Sequence, residues 1–150
     1  MATLAASLVT PERIVLEADV QAVMLRTEVG EAAFLPGHTE LVGALVPGLV
    51  RFQRDDGSEE RAAVHGGFVQ VDGEHVTVLA PIAELAGEID VDRARRALEE
   101  AERELAQLGA RAGGAQADEG SAAGDRAVAE AEQARRRAEV RIEVAAGWAG

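Results

Sequence analysis

The sequence predicts an antiparallel β-sandwich of about ten strands, followed by an antiparallel hairpin of two helices. Short runs rich in β-branched residues fill residues 3–86 and are separated by Gly, Pro and Asp, as in all-β domains. From Glu88 onward the apolar period lengthens from two residues to about 3.6, which is the period of an α-helix. A Gly- and Ala-rich stretch, residues 109–124, then divides the helical segment and predicts a flexible hinge. We therefore expect two domains, residues 1–86 and 87–150.

The first domain contains ten candidate strands. They are Leu4 to Val9, Arg13 to Glu17, Val20 to Thr27, Ala32 to Leu35, Leu41 to Val46, Leu49 to Arg54, Arg61 to His65, Phe68 to Val71, His75 to Ala80 and Ile82 to Leu85. In the third of these both faces are partly apolar, as expected where two sheets enclose a core. Asp55-Asp56-Gly57 and Asp72-Gly73 are typical hairpin turns.

The second domain contains two amphipathic helices, predicted over residues 90–108 and 125–145. Each has one stripe of small or medium apolar side chains at helical spacing. The stripes are Ala94, Leu98, Ala101, Leu105 and Leu108 in the first helix, and Ala131, Ala134, Ala138, Ile142 and Ala145 in the second. Because stripes this narrow bury little apolar area, we expect a hairpin that detaches readily.

The composition excludes several classes of partner and chemistry. A net charge of −12 argues against nucleic acid, because binding to phosphates requires clustered basic side chains. The chain has no apolar run of about 18 residues, so we expect no direct membrane insertion. It has no Cys and only three scattered His, and no motif frames a Ser nucleophile. We therefore expect neither a metal site nor an enzyme.

Four segments in order carry a family resemblance. They are Gly30 to Leu41 followed by Pro47-Gly48, then Gly66 to Val71, then Val76 to Ala80, and finally Ile89 to Ala94. These segments are similar to the G-E-x-x-x-x-P-G-H-x-x-L, G-G-hydrophobic-x-x-V, V-T-V-L-A and I/L-D-x-x-R-A elements of the epsilon subunits of F-type ATP synthases. The resemblance covers the chain from about Val9 to Ala97. The long hinge departs from the family pattern, in which the two helices are joined by a shorter, more polar turn.

The resemblance implies a mechanical function. In this family the sandwich joins the gamma subunit to the membrane c-ring as part of the central-stalk rotor. The helical tail regulates ATP hydrolysis by changing its position against the catalytic alpha and beta subunits. We therefore expect a non-catalytic, peripheral subunit at the cytoplasmic face of the bacterial plasma membrane.

The loop from Glu31 to Leu41 has two compatible interpretations. As a simple turn, it needs the fixed φ of Pro36 and a positive φ at Gly37, and His38 is a solvated polar side chain. By resemblance, the same loop meets the polar loops of the c-ring, with Glu31 and His38 near the contact. An acidic loop suits basic loops on a partner and fixes register more than it adds affinity.

The segment that opens the first helix also has two interpretations. Asp90 is an N-cap candidate, because its carboxylate can accept a hydrogen bond from the backbone N–H of Asp92 or Arg93. By resemblance, Glu84, Ile89, Asp90, Arg93 and Ala94 match an ATP-binding element of some bacterial relatives. In that case arginines of the second helix would complete the site, and ATP would be a regulatory ligand rather than a catalytic cofactor.

Two further motifs have plain structural alternatives. Arg135, Arg136 and Arg137 form either a solvated helix face or, as the family implies, a cationic surface that contacts an acidic segment of the catalytic subunits. Gly66-Gly67 is expected to be a bulge or tight corner, since the strand that follows it excludes a phosphate loop. The rival to a rotor subunit is a free-standing ATP-sensing module, which would not copurify with a membrane complex in fixed stoichiometry.

Overall fold

The computed structural model describes residues 2–112 and 122–146. The chain divides into two compact units, with the boundary between strands and helices after Ile89. The end of the second helix, from Glu143, is grouped with the β unit. The boundary therefore lies three residues beyond the predicted one at Ala86, because a short 3-10 helix, Ala86–Glu88, belongs to the β unit. We call this segment the linker helix.

All ten predicted strands form. They are β1 Leu4–Val9, β2 Ile14–Val20, β3 Ala22–Thr27, β4 Gly30–Phe34, β5 Leu41–Leu45, β6 Gly48–Gln53, β7 Glu59–Val64, β8 Gly67–Asp72, β9 His75–Leu79 and β10 Ala83–Leu85. Most bounds differ from the predicted ones by one to three residues, and β1 agrees at both ends. The alternation of apolar side chains and the Gly, Pro and Asp turns are thus enough to place the strands.

The strands form one sheet that curls back on itself. Its order is β10-β7-β6-β3-β5-β8-β9-β1-β2, with β4 added on β3. The edge strands β10 and β2 approach each other, so the two halves of the sheet enclose the core as in a sandwich. One pair departs from the predicted antiparallel arrangement, because β1 and β9 run parallel. These strands are joined by most of the domain, which gives the long connection that a parallel pair requires.

The core between the two halves is aliphatic, as the low aromatic content predicts. Its largest fully buried side chains are Phe34, Phe52, Leu4, Leu8, Val20, Val23, Val64, Val69, Val71, Val76 and Val78. Burial alternates along β8 and β9, where Val69, Val71, Val76 and Val78 face inward. The neighbouring residues of these two strands therefore face outward.

A tight corner precedes β8. Gly67 has φ +109°, and a Cβ built on it would lie 2.0 Å from the backbone oxygen of Leu79. Gly66 before it has φ +86°. Only glycine fits this corner, which confirms the structural interpretation of the Gly66-Gly67 pair.

Two aspartates close hairpins through their side chains. Asp56 Oδ1 accepts hydrogen bonds from the backbone N–H and the hydroxyl of Ser58, at 2.8 and 2.6 Å. Asp72 Oδ1 accepts from the N–H groups of Glu74 and His75, at 3.0 and 2.8 Å. These hydrogen bonds hold the pKa of both carboxyl groups below the usual value, because they favour the ionised form.

The helices are longer than predicted. Helix α1 spans Val91–Ala112 and α2 spans Ala122–Ala145. Residues 109–112 and 122–124, which we assigned to the hinge, are therefore helical, and the rest of the predicted hinge lies outside the described residues. The predicted stripe of α1 is confirmed as its less exposed face, with Ala94 and Ala101 buried. In α2 the predicted stripe includes the buried Ala131 and Ala138, but Val140 and Val144, which lie outside it, are also fully buried.

Candidate functional site

The loop between β4 and β5 is built by backbone hydrogen bonds. Gly37 has φ +84°, as predicted, and its N–H donates to the oxygen of Gly73 at 2.8 Å. The N–H of His38 donates to the oxygen of Leu35 at 3.1 Å. The first bond attaches the loop to the β8–β9 hairpin, so the loop has a fixed place at that end of the sheet.

His38 is less solvated than predicted. Its ring meets the ring of Phe34 edge-on at 5.0 Å between centroids, and its Nδ1 lies 2.8 Å from the oxygen of Thr39. Pro36 and His38 are both half-buried. Since Phe34 is a core residue, the imidazole belongs to the loop's own packing and presents only part of its surface to a partner.

Glu31 lies at the open edge of β4. It is directly opposite Arg26 of β3, and Arg26 Nη2 lies 3.1 Å from Glu31 Oε1. The Glu31 side chain is 79% exposed, so this cross-strand pair is well screened and leaves the carboxylate accessible. Glu31 is thus exposed at the Gly30 end of β4, whereas His38 lies in the loop that follows the other end of this strand, so the structure does not bring the two predicted contact residues together.

An apolar row that sequence reasoning missed crosses the outer face of five neighbouring strands. Register pairs Ala44 with Phe68, Phe68 with Leu79, Leu79 with Val9 and Val9 with Ile14. Phe68, Leu79 and Ile14 are 58%, 45% and 57% exposed. With strands about 4.8 Å apart, the row is about 19 Å long. We call it the apolar row.

The row next to it is mostly polar. It contains Val42, Gln70, Thr77, Ser7 and Glu17, again in direct register. Val42 is 70% exposed and extends the apolar surface on β5. A contiguous apolar strip with a polar border is typical of a surface that docks another protein.

The start of α1 confirms the capping interpretation. Asp90 Oδ1 accepts a hydrogen bond from the N–H of Arg93 at 3.0 Å, and the N–H of Ala94 donates to the Asp90 oxygen at 3.0 Å. The Arg93 side chain is exposed, whereas Ala94 is buried and Ile89 half-buried. Asp90 thus has a structural role that needs no ligand.

Glu84 belongs to the β unit. It lies on β10 opposite Ala63, and its Oε1 is 4.0 Å from Nε2 of the buried His65. Asp90, Arg93 and Ala94 belong to the helical unit. An ATP site built jointly from these residues stays a prediction.

The arginine run on α2 is partly engaged within its own helix. Arg135 Nε and Arg136 Nη1 each lie 3.6 Å from a carboxylate oxygen of Glu139. Arg135 is exposed, while Arg136 and Arg137 are half-buried. This geometry agrees with a solvated helix face, and a contact of the run with another subunit stays a prediction.

Neither helix, as far as it is described, combines the length and apolar character needed to cross a membrane. Across the described residues of the whole chain, no three His, Cys, Asp or Glu side chains form a group able to hold a metal ion.

The β unit matches a known family. Residues 3–86 match the family described as ATP synthase, Delta/Epsilon chain, beta-sandwich domain. This match covers the ten strands, the β4–β5 loop and the apolar row. The fold and its surfaces thus define a class, the delta and epsilon chains of ATP synthases.

Relatives narrow this class. An ATP synthase epsilon chain of Alkalihalophilus pseudofirmus is 49% identical over 105 residues, which are 70% of this chain and 78% of the relative. The ATP synthase epsilon chain of Bacillus subtilis is 44% identical over 105 residues, 70% of this chain and 79% of that one. The chain belongs to the family of bacterial F-type ATP synthase epsilon chains.

Solved structures with the same fold come from larger assemblies. A chain of the mitochondrial ATP synthase of Euglena gracilis, determined as an OSCP/F1/c-ring assembly, aligns with a TM-score of 0.74 and 26% identity. The alignment covers 97% of this chain and 82% of that one. A chain from the central stalk and c-ring of the Tetrahymena thermophila enzyme aligns with a TM-score of 0.55 and 14% identity, which shows the fold alone.

Proposed function

We propose that this chain is a non-catalytic rotor subunit of the ATP synthase, in which the β unit joins the gamma subunit to the c-ring. The apolar row carries the proposal. An acidic protein that leaves Phe68, Leu79 and Ile14 more than two-fifths exposed on one face has a surface suited to an apolar partner. We assign the gamma subunit to this surface.

The β4–β5 loop and the apolar row lie at opposite ends of the same strands. Along β8, Phe68 stands at the row and Asp72 stands at the hairpin that holds the loop. These positions are about 13 Å apart, four residues at about 3.3 Å each. A sheet with a closely packed core between two docking surfaces transmits force without a hinge, as a coupling element requires.

We assign the loop to the c-ring, with Pro36, Gly37 and His38 at the contact, where the fixed φ of Pro36 and the positive φ of Gly37 hold the loop in shape. Glu31 lies at the Gly30 end of β4, five residues before Pro36, so it does not belong to this loop surface, and its contact with the c-ring stays a prediction. The tail regulates hydrolysis by moving against the alpha and beta subunits, with Arg135, Arg136 and Arg137 as its cationic surface. The subunit is then peripheral at the cytoplasmic face of the plasma membrane.

Copurification tests the assignment of the apolar row. We expect a Phe68→Asp, Leu79→Asp double variant to lose gamma from a tagged complex, since two desolvated charges in a docking surface cost several kcal/mol, roughly a hundredfold or more in affinity. The matched control is Leu35→Asp, because Leu35 is 55% exposed in the β4–β5 loop, at the opposite end of the strands from the row. Full retention of gamma by the double variant would refute this docking surface.

Truncation after Ile89 tests the division of labour between the two units. The core cluster lies entirely within the β unit, so we expect the truncated chain to fold and to join the complex. ATP-dependent proton pumping should continue, and control of hydrolysis should change. A truncated chain that folds but does not assemble would show that the helices take part in docking.

A further inference from the structure

The linker helix, Ala86–Glu88, belongs to the β unit. It follows β10 directly and packs near β7. In its last hydrogen bond, the N–H of Ile89 donates to the carbonyl oxygen of Ala86 at 3.4 Å. Ile89 itself is extended, with φ −77° and ψ 124°, and Asp90 then caps α1. The chain therefore passes from the hydrogen-bonded linker helix to the capped start of α1 within two residues, Ile89 and Asp90.

One long-range ion pair joins the linker helix to the turn that precedes β2, the strand at the opposite end of the strand order. Nη2 of Arg13 donates to Oε2 of Glu88, although the two residues are 75 positions apart. Arg13 stands in the turn between β1 and β2. Thr10 shapes that turn, since its hydroxyl lies 3.3 Å from the Arg13 N–H and 3.2 Å from the Arg13 oxygen.

The ion pair spans the gap between the two edges of the sheet. In the described residues, β10 and β2 are the two ends of the strand order and share no backbone ladder. Arg13 immediately precedes β2 and Glu88 closely follows β10. A side-chain contact here connects two edges that the backbone leaves unconnected.

We propose that the Arg13–Glu88 pair anchors the linker helix to the sandwich, so that any movement of the tail begins at Ile89 and Asp90. This consequence for the tail rests on the proposed function, in which the tail moves. The anchor itself is a property of the β unit and can be tested on the isolated chain.

The ion pair is a weak anchor, because both of its side chains are partly exposed. The side chains of Arg13 and Glu88 are 49% and 40% exposed, so water and salt screen their attraction. Pairs of this kind change an equilibrium by about two- to fivefold, and less in high salt. The anchor thus biases the linker helix toward the sandwich without fixing it, and the bias weakens as ionic strength rises.

Amide hydrogen exchange on the isolated full-length chain tests the anchor. In Arg13→Gln and in Glu88→Gln, we expect exchange at the amide of Ile89, whose N–H donates to the Ala86 oxygen, to rise by about two- to fivefold. The double variant should show no further rise, and the charge swap Arg13→Glu with Glu88→Arg should restore protection. In wild type, 1 M NaCl should raise exchange to the level of the variants.

The matched control is Arg54→Gln. Arg54 pairs with Glu60 at 3.7 Å with side-chain exposures of 38% and 42%, close to those of the anchor, but it lies at the β6–β7 hairpin. This variant should leave exchange at the Ile89 amide unchanged. Unchanged exchange in Arg13→Gln, or a swap that fails to restore protection, would overturn the anchor.

A second measurement separates the anchor from the proposed function. In the assembled enzyme, the two single variants should shift tail-dependent inhibition of hydrolysis by a similar factor, whereas Arg54→Gln should not. If linker exchange responds while inhibition does not, the anchor stands as a property of the β unit and does not control the regulatory step. If neither responds, the anchor itself is wrong.

Discussion

The cores of the β unit and of the two helices differ in the size of their buried side chains. The β strands bury two Phe, two Leu and eight Val at 0–3% exposure, whereas the buried side chains described in the helices are those of Ala94, Ala101, Ala131, Ala138, Val140 and Val144. A fully buried Leu, Val or Phe contributes about 1.5–3 kcal/mol, and a methyl group contributes about 0.8. We therefore expect the β unit to be the more stable part of the chain.

The largest effect is expected at the glycine corner of the β unit. A Cβ on Gly67 would lie 2.0 Å from the Leu79 oxygen, and φ is +109°. Gly67→Val should therefore destabilise the β unit by about 4 kcal/mol or more, measured by urea unfolding. The control is Gly57→Ala, where φ is +87° but nothing lies within 4 Å of the added Cβ, and we expect about 1 kcal/mol. Equal effects of the two variants would mean that the corner can relax.

Two side-chain truncations, one in each unit, compare the stabilities of the two units directly. Phe52 is 0% exposed, so Phe52→Ala should cost about 3–5 kcal/mol of β-unit stability. Leu98 of α1 is only half-buried, so Leu98→Ala should cost less than about 2 kcal/mol of helical-unit stability. Hydrogen exchange resolves the two units separately. A larger loss from Leu98→Ala than from Phe52→Ala would contradict the proposed contrast.

The cap of α1 should have an intermediate effect. Asp90→Ala removes the acceptor for the Arg93 N–H and should destabilise α1 by about 1 kcal/mol, seen as faster exchange in its first turn. Calorimetry at millimolar ATP provides the second readout. Heat of binding in wild type that is lost in Asp90→Ala and in an Arg93→Ala variant would add nucleotide binding to the capping role. Absence of heat in wild type would leave the cap alone.

A smaller effect is expected at Gly109, which we had assigned to the hinge but which lies inside α1. Nothing lies within 4 Å of a Cβ added there. Gly109→Ala should therefore stabilise the helical unit by about 0.5–1 kcal/mol and raise helicity by circular dichroism. A hinge residue without helical structure in solution would give no change in either quantity.

The smallest effect concerns acid sensitivity of the β8–β9 hairpin. The pKa of Asp72 is lowered by the Glu74 N–H and by His75, so its contribution to stability is present above the unfolded-state pKa of about 4 and is lost as pH falls through the folded-state value. The Tm difference between wild type and Asp72→Asn should thus be constant above about pH 5 and shrink below it. Glu74→Gln, at the same hairpin tip, is the control. A difference that grows on acidification has the wrong sign for this mechanism.

Local pattern predicted the strands, the stripe of α1, the Asp90 cap and the positive φ of Gly37, because each depends on neighbours in sequence, whereas the buried Val140 and Val144 of α2 lie outside the stripe predicted there. The parallel pairing of β1 with β9 could not be predicted, since local alternation carries no information on which distant strands meet. The apolar row was missed for the same reason. Phe68 and Ile14 become one surface only when the register across five strands is known.

The hinge was predicted too long because its glycines were given more weight than its alanines. The ends of the stretch, Gly109 to Ala112 and Ala122 to Gly124, contain strong helix formers that continue the adjoining helices.

Sequence also placed the Glu31 carboxylate in an exposed turn but could not show its pairing with Arg26 or the packing of His38 on Phe34. Both contacts depend on how two strands and a loop fold together.

The apolar row also constrains how cells produce this subunit. A copy made in excess of its partners leaves Phe68, Leu79 and Ile14 in water, where the same face attracts any other apolar surface, including that of a second copy. If gamma covers the row as proposed, synthesis in step with gamma keeps such copies rare. For the same reason, a sample of the subunit prepared alone should be kept dilute, and its tendency to self-associate should fall with Phe68→Asp.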